Sequence, residues 1–225
     1  MSSSSQPPVW ALQLTNVLAY LFFASSNVYS GLAGRQMGGP ITTYITPAPW
    51  FFGVWSLIDT LLLGLMVYQF WPSGKKAVTE LLGWRLPLLL FLNSVCSMFY
   101  SFEGSRVYTL CAFLVLLLVA GSVSHLYGHL RMSSDRSSWP DILFVHLPVS
   151  LYHGFIVILF FVAAFAVVGV DARDHPAGLL TKVLVFISLF FLESTAAGYV
   201  FYGNGDIAGA SVISLGLLAI ASYFS

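Results

Sequence analysis

The residue of this chain with the clearest chemical potential is Asp59, a single acid inside a long apolar stretch. The stretch runs from Ala48 to Trp71 and reads APWFFGVWSLIDTLLLGLMVYQFW. About 20 apolar residues span the ~30 Å hydrocarbon core of a bilayer, so this segment predicts a transmembrane helix. A charged and unpaired carboxylate at that depth costs several kcal/mol. We therefore expect Asp59 to face the interior of a helix bundle and to serve a function.

Two further ionisable side chains lie at a similar depth in later apolar stretches. Asp59, His153 and Glu193 lie roughly 15, 16 and 22 Å from the starts of their predicted helices, at a rise of ~1.5 Å per residue. His146 precedes His153 by one heptad, so both share one helix face. Each acid has a simpler explanation as a protonated residue that joins two helices by a hydrogen bond. Three such groups at overlapping depth favour a common polar site.

The sequence lacks the motifs of several other kinds of catalytic or binding site. The histidines form no i, i+4 pair beside an acid except His125 and His129 at a helix end, whereas zinc needs three or four clustered ligands. There is no GxSxG motif, no Walker loop and no paired-cysteine motif. Lys182 lies near a helix end, so a Schiff-base chromophore at mid-membrane is disfavoured. Cys96 and Cys111 both fall in apolar runs and are interpreted as small buried residues.

The composition indicates which elements must position these groups. Of the 225 residues, 58% are hydrophobic and 8% are charged, against about 25% charged residues in a soluble domain. These values predict a multi-pass membrane protein. The formal net charge is zero and the basic residues are scattered, which argues against a nucleic-acid partner. Aromatic residues make up 16% of the chain, so we expect aromatic rings to line any interior cavity.

Seven apolar stretches predict an all-α bundle of seven transmembrane helices in a single domain, residues 1–225. Because the loops are short, helices that are neighbours in the sequence are expected to be antiparallel. The N-terminus and the second, fourth and sixth loops then lie on one side of the membrane, here called side A, and the other loops lie on side B. Five basic residues on side A against four on side B favour a cytoplasmic N-terminus only slightly. The predicted spans are 9–32, 48–71, 86–100, 107–130, 142–170, 178–202 and 207–225.

Local signals add detail to these spans. Asn16 and Asn27 lie within the first span and are expected to hydrogen-bond neighbouring helices. Pro148 is expected to kink the long fifth span. The first loop, residues 33–47, is rich in Gly and Pro and is therefore expected to be irregular and lid-like.

An acid in a dry aromatic cavity suits one reaction class in particular. A carboxylic acid in such a site is a good proton donor, and aromatic faces stabilise a developing cation. Cation-driven cyclisation of a polyprenyl chain needs both a proton donor and aromatic faces that stabilise the cation. The substrate would be lipophilic and would enter from the membrane lipid.

Two short patches resemble the tryptophan-rich sensory (TspO/MBR) proteins and their larger relatives. They are PAPWFFGVWSLID, residues 47–59, and LPVSLYHGF, residues 147–155. Asp59 stands where those proteins have Tyr, His153 where the larger relatives have Leu, and Phe155 where they have Trp. Two of these departures introduce ionisable groups at mid-depth. The residues that fit the family pattern are Pro49, Trp50, Phe52, Trp55, Ile58, Pro148, Ser150, Leu151, Tyr152 and Gly154.

The size, helix count and acids also resemble fungal membrane-bound terpene cyclases of meroterpenoid pathways, notably the ascofuranone/macrophorin cyclase group. This resemblance implies that a farnesylated precursor is cyclised by protonation of its epoxide or terminal olefin. It also implies no metal or organic cofactor, and an internal membrane such as the endoplasmic reticulum. Under this interpretation Asp59 and Glu193 are the protonating acid and its partner, His153 orients or deprotonates, and Glu103 contributes from outside. The expected substrate cavity comprises Trp50, Trp55, Asn93, His146 and Tyr152.

Two other functions fit the same residues. A non-catalytic TspO-like protein would bind sterols, tetrapyrroles or similar lipophiles, and would depend most on Trp50, Trp55 and the first loop. A proton-coupled transporter would use the same acids, but transporters are commonly built from two inverted repeats. No internal repeat is visible across the predicted spans. The oligomeric state does not follow from the sequence.

Overall fold

The computed structural model describes residues 8–32, 41–102, 106–132, 138–168, 172, 176–202 and 205–223. Within these residues, all the regular secondary structure is helical. Several consecutive helices join into longer rods. Pro49–Phe52 is a 3₁₀ turn that leads into α2, Ala77–Leu82 is a π-helical continuation of α3, and Ile142–His146 is a π-helical segment between α6 and α7. The α-helices are α1 Val9–Leu32, α2 Gly53–Tyr68, α3 Pro72–Lys76, α4 Arg85–Ser101, α5 Arg106–Met132, α6 Trp139–Asp141, α7 Leu147–Val168, α8 Leu179–Phe201 and α9 Ile207–Tyr223.

Five of these rods are long and apolar enough to cross a bilayer. They are Val9–Leu32, Pro49–Tyr68, Arg106–Met132, Trp139–Val168 and Leu179–Phe201. A sixth is added when Pro72–Leu82 and Arg85–Ser101 are counted as one bent span. Helix α9 is a shorter apolar helix of 17 residues. The described residues therefore show an all-helical, multi-pass membrane protein with five or six candidate spans, and the predicted count of seven is not confirmed.

A helix precedes the third predicted span, in a segment that the sequence predicts to be the second loop. Pro72–Leu82 and Arg85–Ser101 meet at an angle of 72°. Gly83 lies at the corner with φ +51°, a left-handed conformation that favours glycine because it has no Cβ atom. The corner turns the chain back into the bundle at α4.

Helix α7 lies in the middle of the bundle and α8 at its edge. In the apolar stretch of Trp139–Val168, 61% of the residues are buried, against 17% in Leu179–Phe201. Pro148 lies in the first turn of α7, where the preceding π-helical segment ends, and Trp139–Val168 continues as one rod of 30 residues. The wide π turn accommodates the missing N–H group of the proline.

Glycines bring α7 and α9 into close contact. A Cβ atom on Gly154 would lie 2.8 Å from the backbone oxygen of Gly209, and one on Gly209 would overlap the ring of Tyr199. A Cβ atom on Gly216, two turns further along α9, would overlap the side chain of Ile158. Small residues allow helix backbones to approach closely in membranes, where dispersion contacts drive packing. This contact holds α9 against the central helix.

The end of the first loop is buried rather than lid-like. Thr43 and Ile45 are almost completely buried. The backbone N–H of Ala48 donates to the carbonyl of Ala219 on α9 at 3.0 Å, and that of Ala172 donates to the carbonyl of Thr42 at 2.9 Å. Residues 41–48 are therefore fastened to the bundle, and the remainder of the predicted lid, residues 33–40, lies outside the described residues.

We expect Gly154→Ala to destabilise the protein by about 1–3 kcal/mol, because overpacking a tight contact costs that much. The new methyl group would meet backbone of α9, which cannot move aside as a flexible side chain does. The measurement is the thermal unfolding midpoint in detergent micelles. Gly121→Ala on α5 is the control, since a Cβ atom there meets nothing within 4 Å. Equal midpoints for the two variants would contradict the close α7–α9 contact.

Candidate functional site

Asp59 lies on α2 where α1, α2, α4 and α7 approach one another. Asn27 of α1 donates to its Oδ2 at 3.5 Å, and Ser97 of α4 donates to the Oδ1 of Asn27 at 3.5 Å. The Tyr20 hydroxyl donates to the backbone carbonyl of Asp59 at 3.2 Å. The Oδ1 of Asp59 has no hydrogen-bond partner among the described residues. Within the described residues, the carboxyl group is thus held by one long hydrogen bond only.

Aromatic rings form the inner wall beside this acid. Trp55 precedes Asp59 by one helical turn and packs edge-on against Tyr152 of α7, with ring centroids 5.2 Å apart. Phe23 and Phe155 pack on the same indole at 5.7 and 4.8 Å. Trp55, Tyr152, Phe23 and Phe155 are all buried. We call Asp59, Asn27, Trp55, Tyr152 and their ring neighbours the Asp59 site.

Polar atoms of the wall are left without internal partners. The Tyr152 hydroxyl and the Trp55 Nε1 are buried and have no hydrogen-bond partner within the described part of the chain. Buried Asn93 of α4 approaches the Tyr152 hydroxyl without meeting hydrogen-bond geometry. Buried polar groups are normally paired with protein or water, so this wall can accept a small number of polar partners.

A second polar cluster lies on the opposite side of α7. Asp206, at the start of α9, accepts hydrogen bonds on Oδ2 from the hydroxyls of Tyr127 and Ser150, each at 2.7 Å. The Nη1 of Arg131 lies 3.8 Å from the same oxygen. The backbone N–H of Gly209 donates to Oδ1 at 3.4 Å, as at a helix N-cap. Asp206 is therefore fully engaged.

His153 extends this cluster rather than the Asp59 site. Its ring stacks on Tyr127 with centroids 4.6 Å apart and an interplanar angle of 14°. Its Nε2 is 2.9 Å from the Ser124 hydroxyl, and its Nδ1 contacts the Tyr199 hydroxyl. The ring is thus fixed on both nitrogens. We call Asp206, Arg131, Tyr127, Ser150, His153, Ser124 and Tyr199 the Asp206 network.

A cavity of about 180 Å³ opens beside this network at the side-A ends of α5 and α7. Its polar wall contains Arg131, His146, Ser150 and Asp206. Apolar side chains form the rest of its rim, including Leu130 and Leu147. The hydroxyl of Ser150 and the carboxylate of Asp206 already bond each other, whereas the buried Nη2 of Arg131 has no hydrogen-bond partner within the described residues.

The predicted site residues are thus distributed over several environments. Trp55, Asn93 and Tyr152 lie in the interior near Asp59, whereas His153 and His146 belong to the other side of α7. Trp50 is 50% exposed. Glu193 is exposed on α8, so the expectation that it shares an interior cavity with Asp59 is wrong. Glu103 lies outside the described residues. The catalytic roles given to these residues stay predictions.

Sequence reasoning missed the Asp206 network because its members are ordinary residues far apart in the chain. Neither Arg131 nor Asp206 stands out in the sequence as a candidate site residue. One signal was available: both stand at side-A ends of predicted spans and have opposite charges. The expected bonds from Asn16 and Asn27 are confirmed, since Asn16 donates to Gln69 at 3.1 Å and Asn27 to Asp59.

No group of three or more His, Cys, Asp or Glu side chains within the described residues could hold a metal ion. Most polar side-chain atoms of the Asp206 network are engaged with one another, whereas the buried Nη2 of Arg131 has no hydrogen-bond partner within the described residues. Asp59 has a single amide neighbour.

The family model described as TSPO-like protein matches residues 11–224. The match includes every element of both clusters, from Asn27 on α1 to Gly209 on α9. No curated protein and no solved structure matches the chain.

We expect Tyr127→Phe to lower the thermal unfolding midpoint by about 5 °C, because a hydrogen bond to a charged group contributes about 1.5–3 kcal/mol. The variant removes only the hydroxyl that donates to Asp206. Tyr202→Phe is the matched control, since that side chain is 91% exposed. If both variants unfold at the wild-type temperature, the Asp206 network does not contribute to stability.

Proposed function

This chain belongs to the TSPO-like protein family and is a multi-pass membrane protein, and we propose that it is a terpene cyclase in which Asp59 protonates a polyprenyl substrate. The observation that supports this proposal most is the contrast between two acids, Asp206 and Asp59. Asp206 accepts bonds from two hydroxyls and faces an arginine, whereas Asp59 has one long bond from an amide. Of these two acids, Asp59 is the less engaged, and we propose that it gives a proton to a bound molecule.

The surroundings of Asp59 suit the donor role. None of the described Lys, Arg or His side chains pairs with this carboxyl group. An unpaired charge inside a membrane is costly, so the surroundings favour a carboxylic acid that carries its proton. Because the side chain of Asp59 is only partly buried, a lipophilic substrate has a short route to it from the bilayer.

The proposed reaction is an isomerisation. The Asp59 carboxyl gives its proton to the epoxide oxygen, or to the terminal olefin carbon, of the substrate. The epoxide C–O bond or the olefin π bond breaks and leaves a carbocation, and the electron pair of the next olefin closes the ring. The last cation loses a proton to a base, and Asp59 is protonated again. No atom is gained or lost overall.

The aromatic wall has a part in the same step. Trp55 lies one helical turn before Asp59 and packs on Tyr152, and aromatic faces attract a cation within about 6 Å of the ring centroid. Rings also exclude water, which would otherwise capture the cation as an alcohol. By resemblance to the fungal meroterpenoid cyclases, we further propose a farnesylated precursor and an internal membrane such as the endoplasmic reticulum.

A second candidate function is binding without chemistry. An apolar groove of about 580 Å³ lies between α1 and the start of α4, and its lining includes Leu18, Phe22, Trp84 and Phe91. Ligand pockets commonly have volumes of 300–1,000 Å³, so a sterol or tetrapyrrole would fit there in part. The unpartnered hydroxyl of Tyr152 and indole N–H of Trp55 would suit a carbonyl-bearing ligand in the interior.

We expect Asp59→Asn to lower the turnover of a farnesylated epoxide by a factor of about 10² to 10⁴, the usual contribution of a positioned acid. Microsomes that contain the protein are given the epoxide and, separately, the terminal olefin. The product should have the mass of the substrate and a different retention time. Asp59→Glu should keep part of the activity.

Glu80→Gln is the matched control, because it makes the same acid-to-amide change at an exposed position. Wild-type turnover by the Asp59→Asn variant would rule out Asp59 as the donor. Retention of both compounds by the wild-type protein without any product would favour the binding function.

A further inference from the structure

Arg131 is a largely buried cation with a hydrogen-bond donor that no described residue accepts. It is the next-to-last residue of α5, and its side chain is 16% exposed. Its Nη1 lies 3.8 Å from the Oδ2 of Asp206, which is too long for a hydrogen bond. Its Nη2 is buried and has no partner within the described residues. Because buried N–H groups are normally paired, we expect this guanidinium to meet an acceptor from outside the protein.

The carboxylate of Asp206 is surrounded by uncharged donors. The hydroxyls of Tyr127 and Ser150 donate to it at 2.7 Å, and the backbone N–H of Gly209 donates at 3.4 Å. Among the described residues, Arg131 is the cation that pairs with it, and that pair is loose. A second cation beside Asp206 would therefore still be attracted by its charge.

The cavity of about 180 Å³ at the side-A ends of α5 and α7 adjoins both charged groups. Arg131, His146 and Asp206 are part of its wall, and apolar side chains such as Leu130 and Leu147 form the rest of its rim. Pockets for whole ligands commonly measure about 300–1,000 Å³, so this cavity suits a head group whose remainder lies outside. The ends of membrane-spanning helices lie near the level of the lipid head groups. A lipid head group is thus close at hand.

The charges of the wall favour a zwitterion. Arg131 and Asp206 carry opposite charges that sum to zero. An anionic head group would be attracted by Arg131 and repelled by Asp206, and a cationic one the reverse. A head group with one phosphate and one ammonium matches both residues. The guanidinium fork fits phosphate oxygens, and a primary ammonium has three N–H donors for a carboxylate.

We propose that this cavity, here called the Arg131 cavity, binds the head group of phosphatidylethanolamine, with its phosphate on Arg131 and its ammonium on Asp206. A choline head group has the same charges, but its trimethylated nitrogen is larger and has no N–H to donate. The acyl chains would lie on the apolar rim, where Ile142 is 39% exposed. The lipid would supply the acceptor that Nη2 of Arg131 lacks.

This lipid site goes beyond the proposed cyclase chemistry. The Arg131 cavity and Asp59 lie on opposite sides of α7. Asp59→Asn should therefore bind the lipid as wild type does, even where turnover is lost. A protein without cyclase activity would leave the lipid site intact, and a protein without lipid selectivity would leave the Asp59 proposal intact.

The test compares lipids that differ only in their head group. Purified full-length protein in detergent micelles is titrated with dioleoyl lipids that carry an ethanolamine, a choline or a glycerol head group, and native mass spectrometry measures the bound fraction. We expect the ethanolamine lipid to bind about tenfold more tightly than the choline lipid, since the choline lipid lacks the charged hydrogen bond to Asp206. The glycerol lipid, which is an anion, should also bind more weakly than the ethanolamine lipid.

Three substitutions examine the wall of the Arg131 cavity. Arg131→Met should weaken binding of the ethanolamine lipid about tenfold, because it removes the charged donor. Arg106→Met is the matched control at the other, exposed end of α5 and should bind as wild type does. Ala208→Leu narrows the cavity without removing a member of the Asp206 network. It should also weaken binding, and it keeps the test decisive if Arg131→Met does not fold.

Asp206→Asn should reverse the preference between two lipids. It removes the negative charge and leaves that of Arg131, so the glycerol lipid should then bind more tightly than the ethanolamine lipid. Equal affinity of the wild-type protein for all three lipids would overturn the proposal, because the cavity would not distinguish head groups. A wild-type preference for the glycerol lipid would indicate an anion site instead. Free phosphoethanolamine that binds as tightly as the lipid would show that the ligand is a soluble zwitterion.

Discussion

Hydrocarbon offers no hydrogen-bond partner, so each acid of this protein that lies within a span must find one or hold its own proton. The structure surrounds three of the described acids, within or next to the spans, in different ways. Asp206, at the end of a helix, is surrounded by donors and an arginine. Asp59 has one amide neighbour and an aromatic wall. Glu193 faces outward. The three acids therefore differ in how many hydrogen-bond donors they contact and in how exposed they are.

Helix α7 is the element on which this separation depends. Tyr152 and His153 are consecutive, so their side chains point about 100° apart around the helix. Tyr152 contacts Trp55 and Phe23 on one side, while His153 contacts Tyr127, Ser124 and Tyr199 on the other. A central helix with polar groups on both faces can be stable in a membrane only if both faces are covered by other helices. The burial of α7 meets that condition.

The glycine contact between α7 and α9 connects packing with the polar groups. Because Gly209 has no side chain, the ring of Tyr199 fits against α9 and its hydroxyl reaches His153. The same approach of the two helices brings Asp206 close to Ser150. Packing of small residues thus sets the positions of the hydrogen-bonding groups. A change in the distance between α7 and α9 would therefore alter the packing of the small residues and the positions of the hydrogen-bonding groups together.

Much of this protein could be predicted from its residue types alone. Long apolar stretches predict membrane helices because the backbone has no other way to satisfy its polar groups in lipid. The cost of a lone acid in such a stretch identifies Asp59 as unusual, and the nearby aromatic residues follow from spacing along α2. Tertiary structure decided everything that depends on helix rotation and neighbours. Whether Glu193 faces inward, whether His153 joins Asp59 or Asp206, and whether Arg131 meets Asp206 all depend on which helices are adjacent. The spacing of residues within one helix does not indicate which helices are adjacent, because residues on separate helices are brought together only by packing.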